Sequence, residues 1–510
     1  MKISRYLLSI IIIIGGILFV TKVMGTNIQP SMTIITPFAP GGEADESYII
    51  SWDDSDPDNN AKIALYFNKD NTGTFNATLI VKNIDEDENT NIYLWNTSDI
   101  SEGNYYIYGI IDDGINPPVC TYASGKLFIR HWQRGESKLP WYDKGVWLMG
   151  DIHVHTVMSE GDYPETEIVK KAKFFGCDFI AITPHGEAEI GTLSYYQAIK
   201  NARFTCPDIV IFDGMEWNIP AGEHATILVT NVPNEHEIIK KFRLNYDSLV
   251  SGKTELNDAI EGLRWLNSQR ANGVLPICSL NHPSRIGLYT IEELRAYDKV
   301  GDVFIGFAGA PGYQKIHIPG YDLIDGYDPM VGEIGGTWDI LLSEERNFWI
   351  RVESDFHNPF FNYYPGEYSK TYVFCPTKSY EGVIKGLRRG CMYCVHGDII
   401  TDLEFTVSSE MMSGVMMGEV LQIKNRDPVV VSIKVRFNEE ITKIELISNI
   451  SGKPKLTKVF TSKDWIEKDG YLIMNYKITN FDNDFYVRIR GKSSTDKWFY
   501  SNPIKIKVTI

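Results

Sequence analysis

At five places in the middle of this 510-residue chain, a short apolar run is closely followed by residues that can bind metals. Apolar runs of about four to eight residues are typical of buried strands. The runs and the polar residues after them are 146–149 before His153 and His155, 178–182 before His185, 209–212 before Glu216, 276–280 before His282, and 348–352 before Asp355 and His357. Imidazole and carboxylate groups are the usual nitrogen and oxygen ligands of zinc, manganese and iron, so this pattern predicts a metal centre built from strand ends.

Helical patterns separate the apolar runs. Residues 166–175 and 256–271 both place apolar side chains at the spacing of one helix face. Alternating strands and helices predict an α/β barrel or sheet with its site at the carboxyl ends of the strands. Alternate residues of a strand share a face, so His153 with His155, and Asp355 with His357, can each present two ligands to one point.

The segment from about 147 to 400 resembles the PHP (polymerase and histidinol phosphatase) metallohydrolases. It is most similar to their phosphoesterases and to the carbaryl-hydrolase-like group. Four motifs carry the resemblance: 150–161 is similar to D-x-H-x-H-T-x-x-S-D-G, 181–185 to A-I-T-D-H, 213–216 with His224 to G-x-E and a later histidine, and 353–357 to G-S-D-x-H.

The resemblance implies a distorted (β/α)7 barrel over residues 145–400 that holds two or three divalent ions, zinc, manganese or iron. It implies one set of ligands for each ion: His153, His155, Glu216 and Asp355 for the first, Glu216, His224 and His282 for the second, and Glu160, His185 and His357 for the third. A hydroxide that bridges the metals would attack the substrate. Glu216, His224 and Asp355, together with Arg285, are the predicted catalytic residues.

Two residues depart from the family pattern. Glu160 stands where the family has Asp, which puts the third metal in doubt. Pro184 replaces the Asp of the second motif, which removes a carboxylate that would orient neighbouring ligands.

Some polar residues near the motifs have two interpretations. Arg285 either contacts a substrate phosphate or is a surface arginine in a polar turn. Glu187 and Glu223 either orient ligands or are solvated. The histidines at 131, 236, 317 and 396 lack acidic partners at ligand spacing and are predicted to be structural or exposed.

On both sides of the predicted barrel, short strand-like runs alternate with turn residues. This pattern predicts all-β sandwich modules over 30–132 and 403–510. The first is similar to fibronectin type III-like modules. Its acidic turn, 53–58, either binds Ca²⁺ or is solvated, and the absence of the EF-hand spacing favours solvation. These modules are candidates for binding a cell-surface polymer.

The ends and the composition restrict where the protein works. Lys2 and Arg5 before the apolar stretch 6–20 predict a signal peptide or an N-terminal membrane anchor over 1–25, and hence a secreted or cell-surface protein. The seven cysteines have no framework spacing, and ordinary burial is expected for Cys391 and Cys394. A net charge of −16 argues against nucleic acid as a partner.

The sequence therefore predicts a multidomain enzyme, an exported metal-dependent phosphoesterase acting on a small anionic or esterified substrate. One alternative is a carbamate, ester or amide hydrolase on the same metals, because an activated water attacks carbonyl carbon by the same principle. The other alternative is a surface binding or adhesion protein with a vestigial barrel. Retention of every ligand position argues against this last alternative.

Overall fold

The computed structural model describes residues 10–14, 17–21 and 27–509, with short gaps at 38–40, 45–46, 72, 74–75, 88–90, 98, 130–138, 143, 187–191, 288, 311, 313–314, 410–413, 425–426 and 480. The chain divides into two compact units, Met1–His131 and Trp132–Ile510.

The first unit consists of strands. These are β1 Ile10–Ile14, β2 Ile17–Thr21, β3 Ser31–Thr36, β4 Gly41–Ala44, β5 Ser47–Ser55, β6 Lys62–Asn68, β7 Thr78–Asp85, β8 Ile92–Asn96, β9 Gly103–Asp112, β10 Val119–Tyr122 and β11 Lys126–Ile129. One sheet has the order β3-β5-β8 and another β4-β11-β9-β6-β7, with β10 paired to β9. Buried side chains of both sheets, among them Ile34, Trp52, Leu65 and Ile107, form one apolar core. The two sheets therefore form a β-rich module around a shared interior.

The second unit begins with alternating strands and helices. In chain order they are β12 Val146–Asp151, α1 Glu165–Phe174, β13 Phe179–Ile182, α2 Leu193–Thr205, β14 Val210–Asn218, β15 His224–Leu228, α3 Glu235–Tyr246, α4 Ser248–Ser251, α5 Leu256–Ser268, a 3-10 turn Gln269–Asn272, β16 Ile277–Leu280, α6 Ile291–Asp298, β17 Phe304–Ala310, α7 Pro329–Gly332, α8 Thr337–Ser343, β18 Trp349–Val352, β19 Ser369–Cys375, α9 Tyr380–Arg389 and β20 Met392–His396.

It continues as strands to the carboxyl end. They are β21 Ile400–Ser409, β22 Val415–Met416, β23 Val420–Lys424, β24 Val429–Phe437, β25 Ile441–Ser448, β26 Lys455–Phe460, β27 Ile466–Lys468, β28 Tyr471–Ile478, β29 Phe485–Ser493, β30 Trp498–Ser501 and β31 Ile504–Thr509.

The alternating region forms a mixed sheet of order β18-β17-β16-β15-β14-β13-β12-β19-β20. Pairing is parallel in β12-β13-β14 and in β16-β17-β18, and β15 runs antiparallel between the two groups. Every residue of β13, β16 and β18 is buried, as expected for strands covered on both faces. Just beyond β12 and β18, Val154 and Phe356 form a parallel bridge. This bridge brings the carboxyl ends of two distant strands together, while a closed barrel remains a prediction.

Helix α9 shows how local sequence supports this packing. The Ser379 hydroxyl caps its first turn by accepting from the Gly382 amide at 3.0 Å. Gly390 ends the helix with a φ of +69° and lies against Trp349, where a Cβ would come within 2.3 Å of the indole. Only glycine can therefore end the helix at this close approach.

The carboxyl-terminal strands continue the same sheet. Strand β30 pairs antiparallel with β20, and the order extends through β29 and β25 to β26. A second sheet of order β22-β21-β24-β28-β27 shares a buried core with it. The structure is thus multidomain in architecture, and the change from α/β to all-β near residue 400 falls inside one compact unit.

Most of the predicted leader, 1–25, lies outside the described residues, so the export prediction is not tested. None of the described helices has both the length and the apolar character that a membrane crossing needs.

Candidate metal centre

Four side chains from three strand ends meet at one point, as the first predicted ligand set required. The Nε2 atoms of His153 and His155 lie 3.1 Å apart. His153 Nε2 is 3.1 Å from Glu216 Oε1 and 3.3 Å from Asp355 Oδ1. His155 Nε2 is 3.1 Å from Glu216 Oε2 and 3.2 Å from Asp355 Oδ1. All four residues are buried.

These separations fit a divalent ion. Nitrogen and oxygen ligands about 2.0–2.2 Å from an ion, at tetrahedral or octahedral angles, stand about 2.8–3.6 Å from one another. The distances of 3.1–3.3 Å fall in this range. The cluster holds two facing imidazole nitrogens and two carboxylates, all buried from water. A metal ion requires such a set of donors, and the packing of an apolar core does not.

Glu216 lies at the centre of the wider cluster. Its Oε1 is 3.2 Å from His224 Nδ1 and 3.3 Å from His282 Nε2, while its Oε2 is 3.3 Å from His185 Nε2. Both oxygens also face the first ligand set, so this carboxylate is placed to bridge two ions.

The structure divides the second predicted ligand set into two overlapping groups. His224 can share an ion with Glu216 and His185, or with Glu223 and His282. Glu223 is therefore a candidate ligand in addition to the predicted set.

The third predicted set is also brought together, at the rim. Glu160 Oε2 is 3.5 Å from the Nε2 atoms of both His185 and His357. His155, His185 and His357 also form a compact group. The Glu160 side chain is 54% exposed, in contrast to the buried first set. Its longer side chain still reaches both histidines.

In the first ligand set, charge and burial favour the protonation states that metal binding needs. Burial lowers the pKa of His153 to about 4, so this imidazole is neutral at pH 7. Burial would raise the pKa of Glu216 and of Asp355, but the surrounding imidazoles, His153 foremost, outweigh it and hold both pKa values below the ordinary range. Neutral imidazoles and ionised carboxylates are the metal-binding forms. At His282, by contrast, burial would lower the pKa, but hydrogen bonds to Glu216 and Glu223 outweigh it and raise the pKa to about 9.

Beneath the first ligand set, Arg351 organises two residues that were not predicted to act. Glu353 Oε1 lies 3.0 Å from His153 Nδ1, the ring nitrogen that faces away from the cluster. The Arg351 guanidinium pairs with the other oxygen of Glu353. It also donates to Asn281 Oδ1 at 2.5 Å, and Asn281 Nδ2 in turn donates to Glu216 Oε1 at 2.8 Å. One buried cation therefore supports both a histidine and the central carboxylate.

The sequence does hold a signal for part of this network. Arg351 and Glu353 precede Asp355 at alternate positions of one strand and its extension, so both share a face with this predicted ligand. Asn281 directly precedes His282, and no spacing rule marks it.

Arg285 lies at the cluster but is not free of partners. It pairs with Glu223, and its Nη2 is 3.4 Å from His224 Nδ1. Glu223 Oε1 also lies 3.2 Å from His282 Nδ1. Glu223 is therefore not solvated and can orient His282 as well as serve as a ligand, and the Arg285 side chain, 24% exposed, stays accessible from the cluster's edge. Glu187 lies outside the described residues.

Two of the predicted ligands occupy uncommon backbone conformations. His282 has a φ of +24° and Asp355 a φ of +46°. Positive φ in a residue with a side chain is strained and persists where surrounding contacts enforce it.

Pro184 does not interrupt the backbone hydrogen bonding to β14, because its carbonyl accepts from the Glu216 amide at 2.9 Å. The strand extension at this position needs an acceptor from residue 184.

The remaining histidines behave as expected where they are described. His396 is buried between the rings of Tyr327 and Tyr368, and His236 stacks on Tyr196. His317 is exposed, and His131 lies outside the described residues. Cys391 and Cys394 are buried free thiols, as ordinary burial predicts.

Residues 151–298 match the PHP domain family model. No curated protein matches the chain. The match runs from the last residue of β12 to the end of α6, and so includes seven of the nine predicted metal ligands, all except Asp355 and His357.

Several solved structures are similar at low identity. One is a two-domain protein from Bacteroides vulgatus that contains a predicted PHP-like metal-dependent phosphoesterase: 14% identity, 74% of this chain and 99% of the other covered, TM-score 0.36. Another is a candidate metal-dependent phosphoesterase from Bifidobacterium adolescentis: 14% identity, 41% and 88% covered, TM-score 0.27. An amidohydrolase from Chromobacterium violaceum has 15% identity, 41% and 87% covered, TM-score 0.25. Over residues 151–298 the chain is thus similar to the PHP domain family, as the sequence motifs predicted.

Proposed function

We propose that this chain is an exported metal-dependent hydrolase whose substrates are small phosphate esters. The observation that carries the proposal is the contact of both Glu216 oxygens with histidines from several strand ends. Divalent ions in such a site lower the pKa of a coordinated water and neutralise charge on the substrate.

The residues of the chain would share the remaining work. His153, His155 and Asp355 would hold one ion and Glu216 would bridge to the next. Glu353, whose Oε1 lies 3.0 Å from His153 Nδ1, would orient the ring of His153, as carboxylates do for metal-binding histidines. Arg285, at the edge of the cluster, would contact an anionic oxygen of the substrate while Glu223 keeps its guanidinium in place.

Charge favours a phosphate ester over a neutral carbamate or amide. A divalent ion concentrates positive charge at the point where it contacts a substrate oxygen. An anionic phosphate would therefore be attracted to it more strongly than a neutral carbonyl group.

The test is hydrolysis by the full chain loaded separately with zinc, manganese or iron. The panel contains an aryl phosphomonoester, an aryl phosphodiester and an aryl carbamate with the same leaving group. We expect phosphoester turnover that is lost in His153→Ala and Asp355→Asn but kept in His236→Gln, a buried histidine outside the cluster. Turnover of the carbamate alone would refute the phosphoesterase proposal, and fewer than one bound metal per chain would refute the metal centre.

Export is a separate part of the proposal. It rests on the charged and apolar pattern of residues 1–20. The N-terminal sequence of protein recovered from its native cells tests it. A start near Thr26, or retention in the membrane fraction, supports export, and a full-length cytoplasmic protein contradicts it.

A further inference from the structure

The acidic loop between β5 and β6 contains a buried carboxylate that lacks a full set of partners. Asp56 is only 8% exposed. Its Oδ1 accepts from the Asn59 amide at 3.3 Å, but its Oδ2 is buried and has no hydrogen bond. A buried charged oxygen without a donor costs about 1–3 kcal/mol or more, so its presence needs an explanation.

Two neighbouring side chains show the same division. Glu86 accepts from the Asp56 amide with Oε1, at 2.8 Å, while its Oε2 is buried without a hydrogen bond. Asn59 donates from Nδ2 to Asn27 Oδ1 at 2.6 Å, while its own Oδ1 is buried without one. Each of the three side chains thus has one atom in a hydrogen bond and one buried oxygen without a hydrogen bond.

The atoms without hydrogen bonds are all oxygens, and the part of the chain that the structure describes places no cation against them. Within the described residues, neither Asp56 nor Glu86 forms an ion pair with lysine or arginine. Burial raises the pKa of Glu86, and the charges of Asp54, Asp87 and Asp56 raise it further. This repulsion is what a bound cation would relieve.

Nearby acidic residues provide the contrast. Asp54 uses one oxygen for Trp52 Nε1, at 2.6 Å, and the other for Asn91 Nδ2, at 3.2 Å. Asp113 likewise uses both oxygens, accepting from the Asn116 amide at 2.7 Å and from Asn27 Nδ2 at 2.7 Å. Asp54 and Asp113 therefore have hydrogen bonds at both carboxylate oxygens, whereas Asp56 and Glu86 each have one oxygen without a hydrogen bond.

We propose that Asp56, Asn59 and Glu86 form a calcium site in the first unit, separate from the metal centre of the PHP domain. Carboxylate and amide oxygens without nitrogen or sulphur ligands suit a hard cation, and Ca²⁺ accepts irregular sets completed by water. Asp58, whose Oδ2 accepts from the Ile28 amide at 3.0 Å, adds negative charge beside them. The ligands come from two segments, 56–59 and Glu86, which explains why EF-hand spacing is absent.

Calorimetric titration of the full chain, with its PHP metals already bound, tests the site. We expect one Ca²⁺ per chain, with a Kd of about 10⁻⁴–10⁻³ M, as in extracellular modules. Asp56→Asn and Glu86→Gln preserve shape and should each weaken binding at least about tenfold, since charge count sets affinity in such sites. Asp54→Asn, the matched control, should leave the Kd unchanged.

Three results would overturn the proposal. One is no calcium heat at about ten times the upper Kd. Another is equal binding by wild type, Asp56→Asn and Glu86→Gln, and the third is equal or tighter binding of Mg²⁺. The readout is calcium binding, so failure here is distinct from failure of the hydrolase proposal.

Discussion

Replacing Arg351 with methionine should weaken metal binding at the His153 site as well as destabilise the chain. Arg351 is 1% exposed and its guanidinium contacts four side chains: Glu353, Asn281, Ser279 and Thr226. Methionine fills a similar space but provides neither the charge nor the donors. Glu353 would then be buried without its cation, and Asn281 would lose the bond that orients it.

The structure gives a magnitude for each effect. Breaking a buried ion pair by removing one partner costs about 3–5 kcal/mol of unfolding free energy. Loss of the groups that orient metal ligands lowers metal affinity or activity about 10- to 100-fold. Both effects are expected here because Glu353 contacts His153 and Asn281 contacts Glu216.

Arg488→Met is the matched control. Arg488 is fully buried and pairs with the buried Asp339 through bonds of 2.7 and 2.8 Å. It lies in β29, away from the metal ligands in the sheet order. Its loss should cost a similar unfolding free energy and leave metal affinity unchanged.

The assay combines guanidinium unfolding with competition between the apo-protein and a chromogenic chelator. The absorption spectrum of the cobalt-loaded protein adds a direct view of ligand geometry. Arg351→Lys, which keeps the charge but not the planar fork, should fold and show an intermediate affinity. If Arg351→Met and Arg488→Met lose the same stability and bind metal equally well, the guanidinium has only a structural role and the reasoning is refuted.

Three further predictions concern other parts of the chain. Burial lowers the pKa of His396 to about 3, so between about pH 6.5 and 3 the unfolded chain binds a proton at this histidine and the folded chain does not. The free energy of unfolding should therefore fall as the pH falls through this window, and it should fall less steeply in His396→Phe. Urea unfolding at several pH values measures this. Glu160→Gln should release the third metal while the first set keeps its ion, because the exposed Glu160 contacts only His185 and His357 of the cluster; metal counting by mass spectrometry checks this, and loss of every ion would contradict it. Asn502→Ala should lower the unfolding free energy by about 1–3 kcal/mol, because the Asn502 amide satisfies the buried N–H and C=O of Ile350 at 2.9 Å each, whereas the exposed Asn245→Ala should change it little.

The sequence predicted much of the candidate site because its ligands are tied to local patterns. His153 with His155, and Asp355 with His357, are two residues apart, so an extended chain places each pair on one face without further information. Apolar runs before the ligands indicated strand ends, and parallel strands deliver their carboxyl ends to a common edge. The model brings the first predicted ligand set together at 3.1–3.3 Å.

Other features depend on contacts that sequence spacing does not encode. Asn281, Glu353 and Arg351 meet because β16 and β18 lie close in the sheet, although Asn281 is 70 residues from Arg351. The Asp56 and Glu86 pairing likewise joins two segments 30 residues apart. The sequence favoured a solvated acidic turn, and only the fold buries Asp56.

The amino-acid sequence by itself determined which residues are candidate metal ligands and at which strand ends they stand. Periodicity and spacing are local properties, so the printed residues suffice for them. Tertiary structure alone decided which groups support the ligands, how Glu216 serves several histidines, and that β30 joins the carboxyl-terminal strands to the PHP sheet. Those outcomes follow from burial and long-range pairing, where the free energy depends on the whole packed interior.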